Sequence, residues 1–122
     1  MTKILVIDDN PIARSTISTV LESDGYEIVA AADGNLGLAA FESEQPDLVI
    51  TDIIMPEKEG IETIQDLLRR DPHAKVIAIS GGGRIGNADF LEFARKFGAA
   101  ETIAKPFDPE ELLEATKRLL AA

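Results

Sequence analysis

The stretch Ile4-Leu5-Val6-Ile7-Asp8-Asp9-Asn10-Pro11 decides the fold, because a strand, an acidic turn and a helix start follow one another within it. Its four apolar residues, mostly β-branched, predict a short buried strand. Two acids end the strand. Asn10 and Pro11 have the composition of a helix N-cap and a first helical residue. The stretch therefore predicts the first strand and the beginning of the first helix of a βα repeat.

Similar apolar runs recur along the chain at intervals that leave room for a strand and a crossover helix. They begin near Lys3, Glu27, Leu48, Val76 and Thr102. Between them, apolar residues recur at helical spacing, and Gly25 and Gly98 stand where helix C-terminal glycines belong. The pattern predicts five βα units in one α/β domain, with an open, doubly wound parallel sheet.

The bulk composition excludes several classes of protein. The chain has 122 residues and a net charge of −10, which opposes direct binding to nucleic acids or anionic membranes. It has no cysteine, which excludes disulfides and thiolate metal sites. We find neither a signal peptide core nor an apolar run of roughly 18 residues that would span a bilayer. We therefore expect a cytoplasmic protein.

Polar side chains follow four of the predicted strands: Asp8 and Asp9, then Asp52, Ser80 and Lys105. Because the carboxyl ends of parallel strands meet at one edge, we expect these groups to lie together. Three carboxylates repel one another, and Mg²⁺, which prefers oxygen ligands, would relieve the repulsion. Lys105 and Ser80 can donate to phosphoryl oxygens. Asp52, on the central strand, is then our choice of nucleophile for an aspartyl-phosphate.

At these positions the whole chain resembles the receiver domain of two-component response regulators. The matching motifs are Asp8-Asp9, Asp52-Ile53-Ile54-Met55-Pro56 with Gly60, Ser80, and Lys105-Pro106-Phe107. The resemblance implies a flavodoxin-like (βα)5 fold with strand order 2-1-3-4-5. It also implies one receiver domain over residues 1–122, without an output domain.

The resemblance further implies specific roles. Asp52 would accept a phosphoryl group from a phosphohistidine on a sensor histidine kinase or a histidine phosphotransfer protein. Asp9, Asp52 and the backbone carbonyl of Ile54 would hold Mg²⁺, and Asp8 would bind it through water. Apart from gaining and losing its own phosphoryl group, such a protein is not an enzyme. We expect a monomer or weak dimer that contacts a downstream protein target.

Signalling would follow when Ser80 moves to donate to the phosphoryl group and changes the face formed by the fourth helix, fifth strand and fifth helix. Thr102 stands where the family usually has Tyr or Phe, so an aromatic switch cannot operate there. We hypothesise that the backbone of residues 81–84, which includes Gly81, Gly82 and Gly83, rearranges instead. Ile54 cannot orient a hydrolytic water, which predicts a long-lived phosphoryl group.

Several interpretations remain open at this point. Ile12 and Pro106 border the pocket, where they would either dock a phosphodonor helix or simply pack. The resemblance implies a cis peptide before Pro106, for which the conformational cost is small. Phe90, Ala94 and Phe97, in the predicted fourth helix, fit core packing.

Three other functions compete with the receiver. The first is a Mg²⁺-dependent phosphohydrolase of the haloacid-dehalogenase type. Its nucleophile ends strand one and is followed two residues later by another Asp, whereas Asn10 or Pro11 occupies that position here. The second is a nucleotide or flavin module, which lacks its glycine-rich loop. The third is a scaffold that no longer takes phosphate, which the intact pocket opposes.

Overall fold

The computed structural model of the protein describes residues 2–53, 60–80 and 94–121. Its five strands all run parallel in one sheet of order β2-β1-β3-β4-β5. They are β1 (Lys3–Ile7), β2 (Glu27–Ala31), β3 (Leu48–Asp52), β4 (Val76–Ser80) and β5 (Glu101–Ala104). The predicted α/β fold, a doubly wound five-stranded sheet of order 2-1-3-4-5, is confirmed.

Helices cover both faces of the sheet. They are α1 (Pro11–Ser23), α2 (Gly34–Glu44), α3 (Gly60–Arg70) and the C-terminal helix (Pro109–Ala121). Residues 94–96 are also helical. The rest of the predicted fourth helix, the proposed loop switch at 81–84 and the proposed metal ligand Ile54 lie outside the described residues.

The core consists of two apolar layers, one on each side of the sheet. Leu5 and Ile7 of β1 face α2 and α3, whereas Ile4 and Val6 face α1 and the C-terminal helix. Each of these four side chains is at most 1% exposed. Burying one such side chain contributes about 1.5–3 kcal/mol. Because helices cover both faces of the sheet, residues 4–7 of β1 are all apolar. Packing on both faces fixes the position of the strand and of its end.

Local capping places the helices as the sequence predicts. The Asn10 side chain accepts hydrogen bonds from the backbone N–H groups of Ile12 (2.8 Å) and Ala13 (3.2 Å). Gly25 and Gly98 both have positive φ, at 93° and 116°. These glycines allow the chain to reverse where L-residues would be strained.

The prediction that Phe97 belongs to the core is wrong. The ring is 43% exposed, whereas Ala94 and Ala99, which lie before and after it in the chain, are at most 4% exposed and belong to the core layer that faces α2 and α3. The helical segment ends before Phe97, and the chain turns at Gly98. Helical spacing therefore no longer determines which way Phe97 points.

No helix in the described part of the chain combines the length and the apolar character that crossing a bilayer requires.

Gly98→Ala should destabilise the fold more than Gly25→Ala. At Gly25 a methyl group meets open space, so we expect a loss of about 1–2 kcal/mol from left-handed strain alone. At Gly98 the added Cβ would lie 2.2 Å from Leu68 Cδ1, and overpacking adds about 1 kcal/mol or more. Urea unfolding of both variants measures the difference. Equal losses, or an unchanged difference when Leu68→Ala removes the clash, would contradict this account.

Thr116→Val should stabilise the protein by about 1 kcal/mol. Thr116 lies in the C-terminal helix, is 0% exposed, and its hydroxyl has no hydrogen-bond partner among the described residues. Valine keeps the shape and removes the unpaired polar atom. Thr116→Ser, which keeps the hydroxyl and loses the methyl group, should instead destabilise it. The free energies of unfolding of wild type, Thr116→Val and Thr116→Ser test this prediction. A Thr116→Val protein no more stable than wild type would refute it.

Candidate functional site

Three carboxylates meet at the carboxyl edge of the sheet. Asp8 and Asp9 follow β1, and Asp52 is the last residue of β3. One carboxylate oxygen from each lies within 4.8 Å of the other two. Asp8 is 1% exposed and Asp52 is 8% exposed, whereas Asp9 is open to solvent. This cluster can hold a metal ion, and Asp9 is its solvent-exposed member.

Lys105, which follows β5, reaches into the same cluster. Its Nζ donates to Asp8 Oδ2 at 3.0 Å and to Asp52 Oδ2 at 3.3 Å. Three carboxylates and one ammonium leave the site with two negative charges. That charge matches a divalent cation, and oxygen ligands suit Mg²⁺. The donor set therefore fits the metal that the sequence predicts.

The surroundings of Lys105 keep it charged. Burial, the largest single influence, lowers the pKa of Lys105, but the hydrogen bond to Asp8 and the charges of Asp52 and Asp8 together outweigh it. The pKa of Lys105 is therefore raised above its ordinary value of 10.5. At neutral pH the side chain is a fixed cation beside two acids.

Asp8 is held by hydrogen bonds to both its side chain and its backbone. Its Oδ1 accepts the backbone N–H of Asn10 at 2.9 Å, and its Oδ2 accepts from Lys105. Its backbone carbonyl accepts from Arg14 Nη1 at 2.8 Å. Both carboxylate oxygens of Asp8 thus already receive protein donors. This arrangement favours an indirect role for Asp8 at a metal, through a water molecule.

Sequence reasoning missed Arg14. The available signal was a basic residue in α1, soon after an acidic pair at the end of a strand. Only the tertiary arrangement shows that its guanidinium binds the Asp8 backbone rather than a carboxylate.

Ser80 lies at the same edge, on the strand next to β3. It is the last residue of β4 and is 0% exposed. In the β3–β4 register Asp52 pairs with Ile79, so Ser80 lies one residue beyond that pair. The backbone N–H of Lys105 donates to the Ser80 carbonyl at 2.8 Å. The fold therefore links the ends of β4 and β5 that carry these two side chains.

Thr102 lies further back on β5, opposite Ala78 in the register. Its Oγ1 accepts a hydrogen bond from Arg95 Nη2 at 3.0 Å. Arg95 belongs to the helical residues 94–96. At the position where the resemblance implies an aromatic ring, this protein has a polar contact between β5 and the helical residues 94–96.

A groove of about 400 Å³ lies beside Lys105, between α1 and the loop that leads to the C-terminal helix. It is lined by Ala13, Thr16, Lys105, Pro106, Phe107 and Pro109. Ile12, in the first turn of α1, is 77% exposed. The Lys105–Pro106 peptide bond is cis, as the resemblance implies. Ile12 and Pro106 are thus accessible next to the acidic cluster.

A larger cavity of about 640 Å³ lies at the opposite edge of the sheet, near the starts of β3 and β4. It is lined by Phe41, Glu42, Gln45, Pro46, Arg70 and Asp71. None of the predicted site residues lines this cavity, so cavity volume alone does not identify the functional site.

Known proteins match nearly the whole chain. Residues 4–117 match the model of the response regulator receiver domain. Chemotaxis protein CheY of Listeria monocytogenes is 35% identical over 119 residues, covering 97% of this chain and 98% of that protein. Sporulation initiation phosphotransferase F of Bacillus subtilis is 33% identical over 118 residues, covering 97% and 93%.

The fold is also similar to that of solved receiver domain structures. A response regulator receiver domain protein from Clostridium thermocellum has a TM-score of 0.91 and 33% identity, covering 99% of this chain and 95% of that one. The sequence match, the shared fold and the acidic edge lead to one conclusion: the chain belongs to the response regulator receiver domain family of two-component signalling.

Proposed function

We propose that this protein is a phosphoacceptor in a two-component system or phosphorelay, with Asp52 as the residue that takes the phosphoryl group. The observation that carries the proposal is the position of the Lys105 ammonium between Asp8 and Asp52, inside a cluster of three carboxylates. This arrangement can bind a divalent cation and neutralise an incoming phosphoryl group at one place.

The three acids differ in what they can do, and this difference supports Asp52 as nucleophile. Both oxygens of Asp8 already accept protein hydrogen bonds. Asp9 is exposed and suits direct metal ligation. Asp52 is 8% exposed and ends the central strand, where one oxygen contacts Lys105. We therefore assign Mg²⁺ to Asp9 and Asp52, with Asp8 acting through water. The family resemblance adds the backbone carbonyl of Ile54, which lies outside the described residues.

In the proposed transfer, an Asp52 carboxylate oxygen attacks the phosphorus of a phosphohistidine. The new O–P bond forms as the P–N bond breaks, and the imidazole leaves with the bonding electron pair. Lys105 donates to one phosphoryl oxygen and Ser80 donates to another. Mg²⁺, when bound, neutralises developing negative charge. Positioning and charge neutralisation account for most of catalysis in this kind of reaction.

The partner that delivers the phosphoryl group would be a sensor histidine kinase or a histidine phosphotransfer protein in the cytoplasm. The groove beside Lys105 and Pro106 borders the acceptor and has a mainly apolar lining, and Ile12 extends that surface. The relatives' names, a chemotaxis protein and a sporulation initiation phosphotransferase, support signalling by phosphoryl transfer. A helix that carries the phosphohistidine would fit this groove.

Output would depend on the new charge at Asp52. A phosphoryl group adds about −1.5 to −2 charge and three acceptor oxygens. Ser80 would respond first, because it ends the neighbouring strand. The response would then reach β5 and the C-terminal helix, where a downstream protein binds. The haloacid-dehalogenase-type alternative needs a nucleophile at the end of β1, and the matches give it no support.

Incubation with acetyl phosphate and Mg²⁺ should add one phosphoryl group to the wild-type protein. Asp52→Asn should abolish the addition, because an amide does not form the acyl phosphate. Intact-mass spectrometry before and after a chelator is added measures the product and its metal dependence. Asp9→Asn is the matched control, because it keeps the acceptor and weakens only the metal site. An Asp52→Asn protein that still gains the group would contradict the assignment.

Lys105→Met should slow phosphoryl acceptance on the order of 100-fold, because a donor to the phosphoryl oxygens is lost. It should also raise the stabilisation of the fold by Mg²⁺, because the site then carries three negative charges instead of two. Labelling rates and thermal midpoints with and without Mg²⁺ test both effects, with Lys105→Arg as the control that keeps the charge. Unchanged Mg²⁺ stabilisation in Lys105→Met would contradict the account.

The same pair of proteins gives a pH test. Because the pKa of Lys105 is raised in the folded state, its contribution to stability is complete below the ordinary lysine pKa. The contribution should disappear as pH rises through the raised value. The metal-free difference in unfolding free energy between wild type and Lys105→Met should therefore be flat from pH 7 to about 9 and shrink above about 10.5. A difference that grows at high pH would contradict the sign.

A further inference from the structure

The residue that directly precedes the proposed phosphoacceptor Asp52 carries a buried hydroxyl group. Thr51 is 0% exposed and lies in β3 among apolar neighbours. Its side chain is on the same face as Val49 and Ile53, in the layer covered by α2 and α3. A hydroxyl in such a layer costs free energy unless it is hydrogen-bonded. A valine would fill the same space without that cost, so the hydroxyl calls for an explanation.

The hydroxyl is bonded to the backbone of Asp52 itself. Thr51 Oγ1 donates to the Asp52 carbonyl oxygen at 3.0 Å. Thr116, an equally buried threonine in the C-terminal helix, has no such partner among the described residues. Within the described part of this fold, a buried threonine hydroxyl is therefore not always hydrogen-bonded, and the bond made by Thr51 is specific to its position.

The bond lies at the end of the register between β3 and β1. The N–H groups of Val49 and Ile53 both donate toward β4, to Lys75 and Ile79. Adjacent residues of a strand direct their backbone groups to opposite sides, so the Asp52 carbonyl is directed toward β1. The register between β1 and β3 ends at the pair of Ile7 and Thr51, one residue before Asp52.

We infer that Thr51 is a positioning residue for the acidic site. Its hydroxyl fixes the peptide unit that leaves Asp52, beyond the last residue pair with β1. It thereby fixes the backbone from which the Asp52 carboxylate extends to within 3.3 Å of Lys105 Nζ. This inference rests on the proposed function, because what is positioned is the attacking carboxylate. Small displacements of a reacting group slow transfer steeply.

Two substitutions separate positioning from packing. Thr51→Val removes the donor and keeps the shape, whereas Thr51→Ser keeps the donor and loses a buried methyl group. Thr116→Val is the matched control, because it makes the same chemical change at an equally buried site in the C-terminal helix. For each protein, the rate of phosphorylation by acetyl phosphate is measured at saturating Mg²⁺. Mg²⁺ affinity is followed separately by backbone amide shifts, and folding by the thermal midpoint.

Thr51→Val should accept the phosphoryl group about 10-fold more slowly than wild type and bind Mg²⁺ more weakly. Thr51→Ser should stay within about twofold of the wild-type rate although its thermal midpoint falls, and Thr116→Val should also stay within about twofold. A Thr51→Val protein as fast as wild type, or a Thr51→Ser protein as slow as Thr51→Val, would overturn the inference alone. A wild-type protein that takes no phosphoryl group would overturn the proposed function, and the inference with it.

Discussion

Mutual repulsion among three carboxylates at one edge of the sheet is the constraint on which the rest of the site depends. Asp8, Asp9 and Asp52 converge within 4.8 Å, and two of the three are nearly buried. Lys105 offsets part of this charge from β5. The remaining two negative charges match those of a divalent cation, and in the proposed function the bound cation would in turn offset the charge of a phosphoryl group.

Such a cluster needs a rigid frame, because repelling groups move apart unless the backbone holds them. The apolar strands supply the frame, covered by helices on both faces. Polar contacts to the backbone complete it. Arg14 holds the Asp8 carbonyl, and Thr51 holds the Asp52 carbonyl. The packed core and these hydrogen bonds together hold the backbone in place, so that the charged side chains stay close although they repel one another.

Sequence patterns predict the strands well, because a buried parallel strand is a continuous apolar run. Four strands begin at the predicted residues, and β5 begins at Glu101, one residue before Thr102. Phe97 was placed wrongly, since helical periodicity does not show where a helix stops. The contacts of Arg14 and Arg95 could not be predicted, because they join side chains to positions that only the tertiary fold brings near.

The most direct test of the account is to locate the phosphoryl group on the chain. Borohydride reduces an aspartyl phosphate to homoserine, which peptide mass spectrometry assigns to one position. After phosphorylation in the presence of Mg²⁺, the account predicts homoserine at position 52 and at no other aspartate. Homoserine at position 8 or 9, or none in a protein that has gained the phosphoryl group, would contradict it.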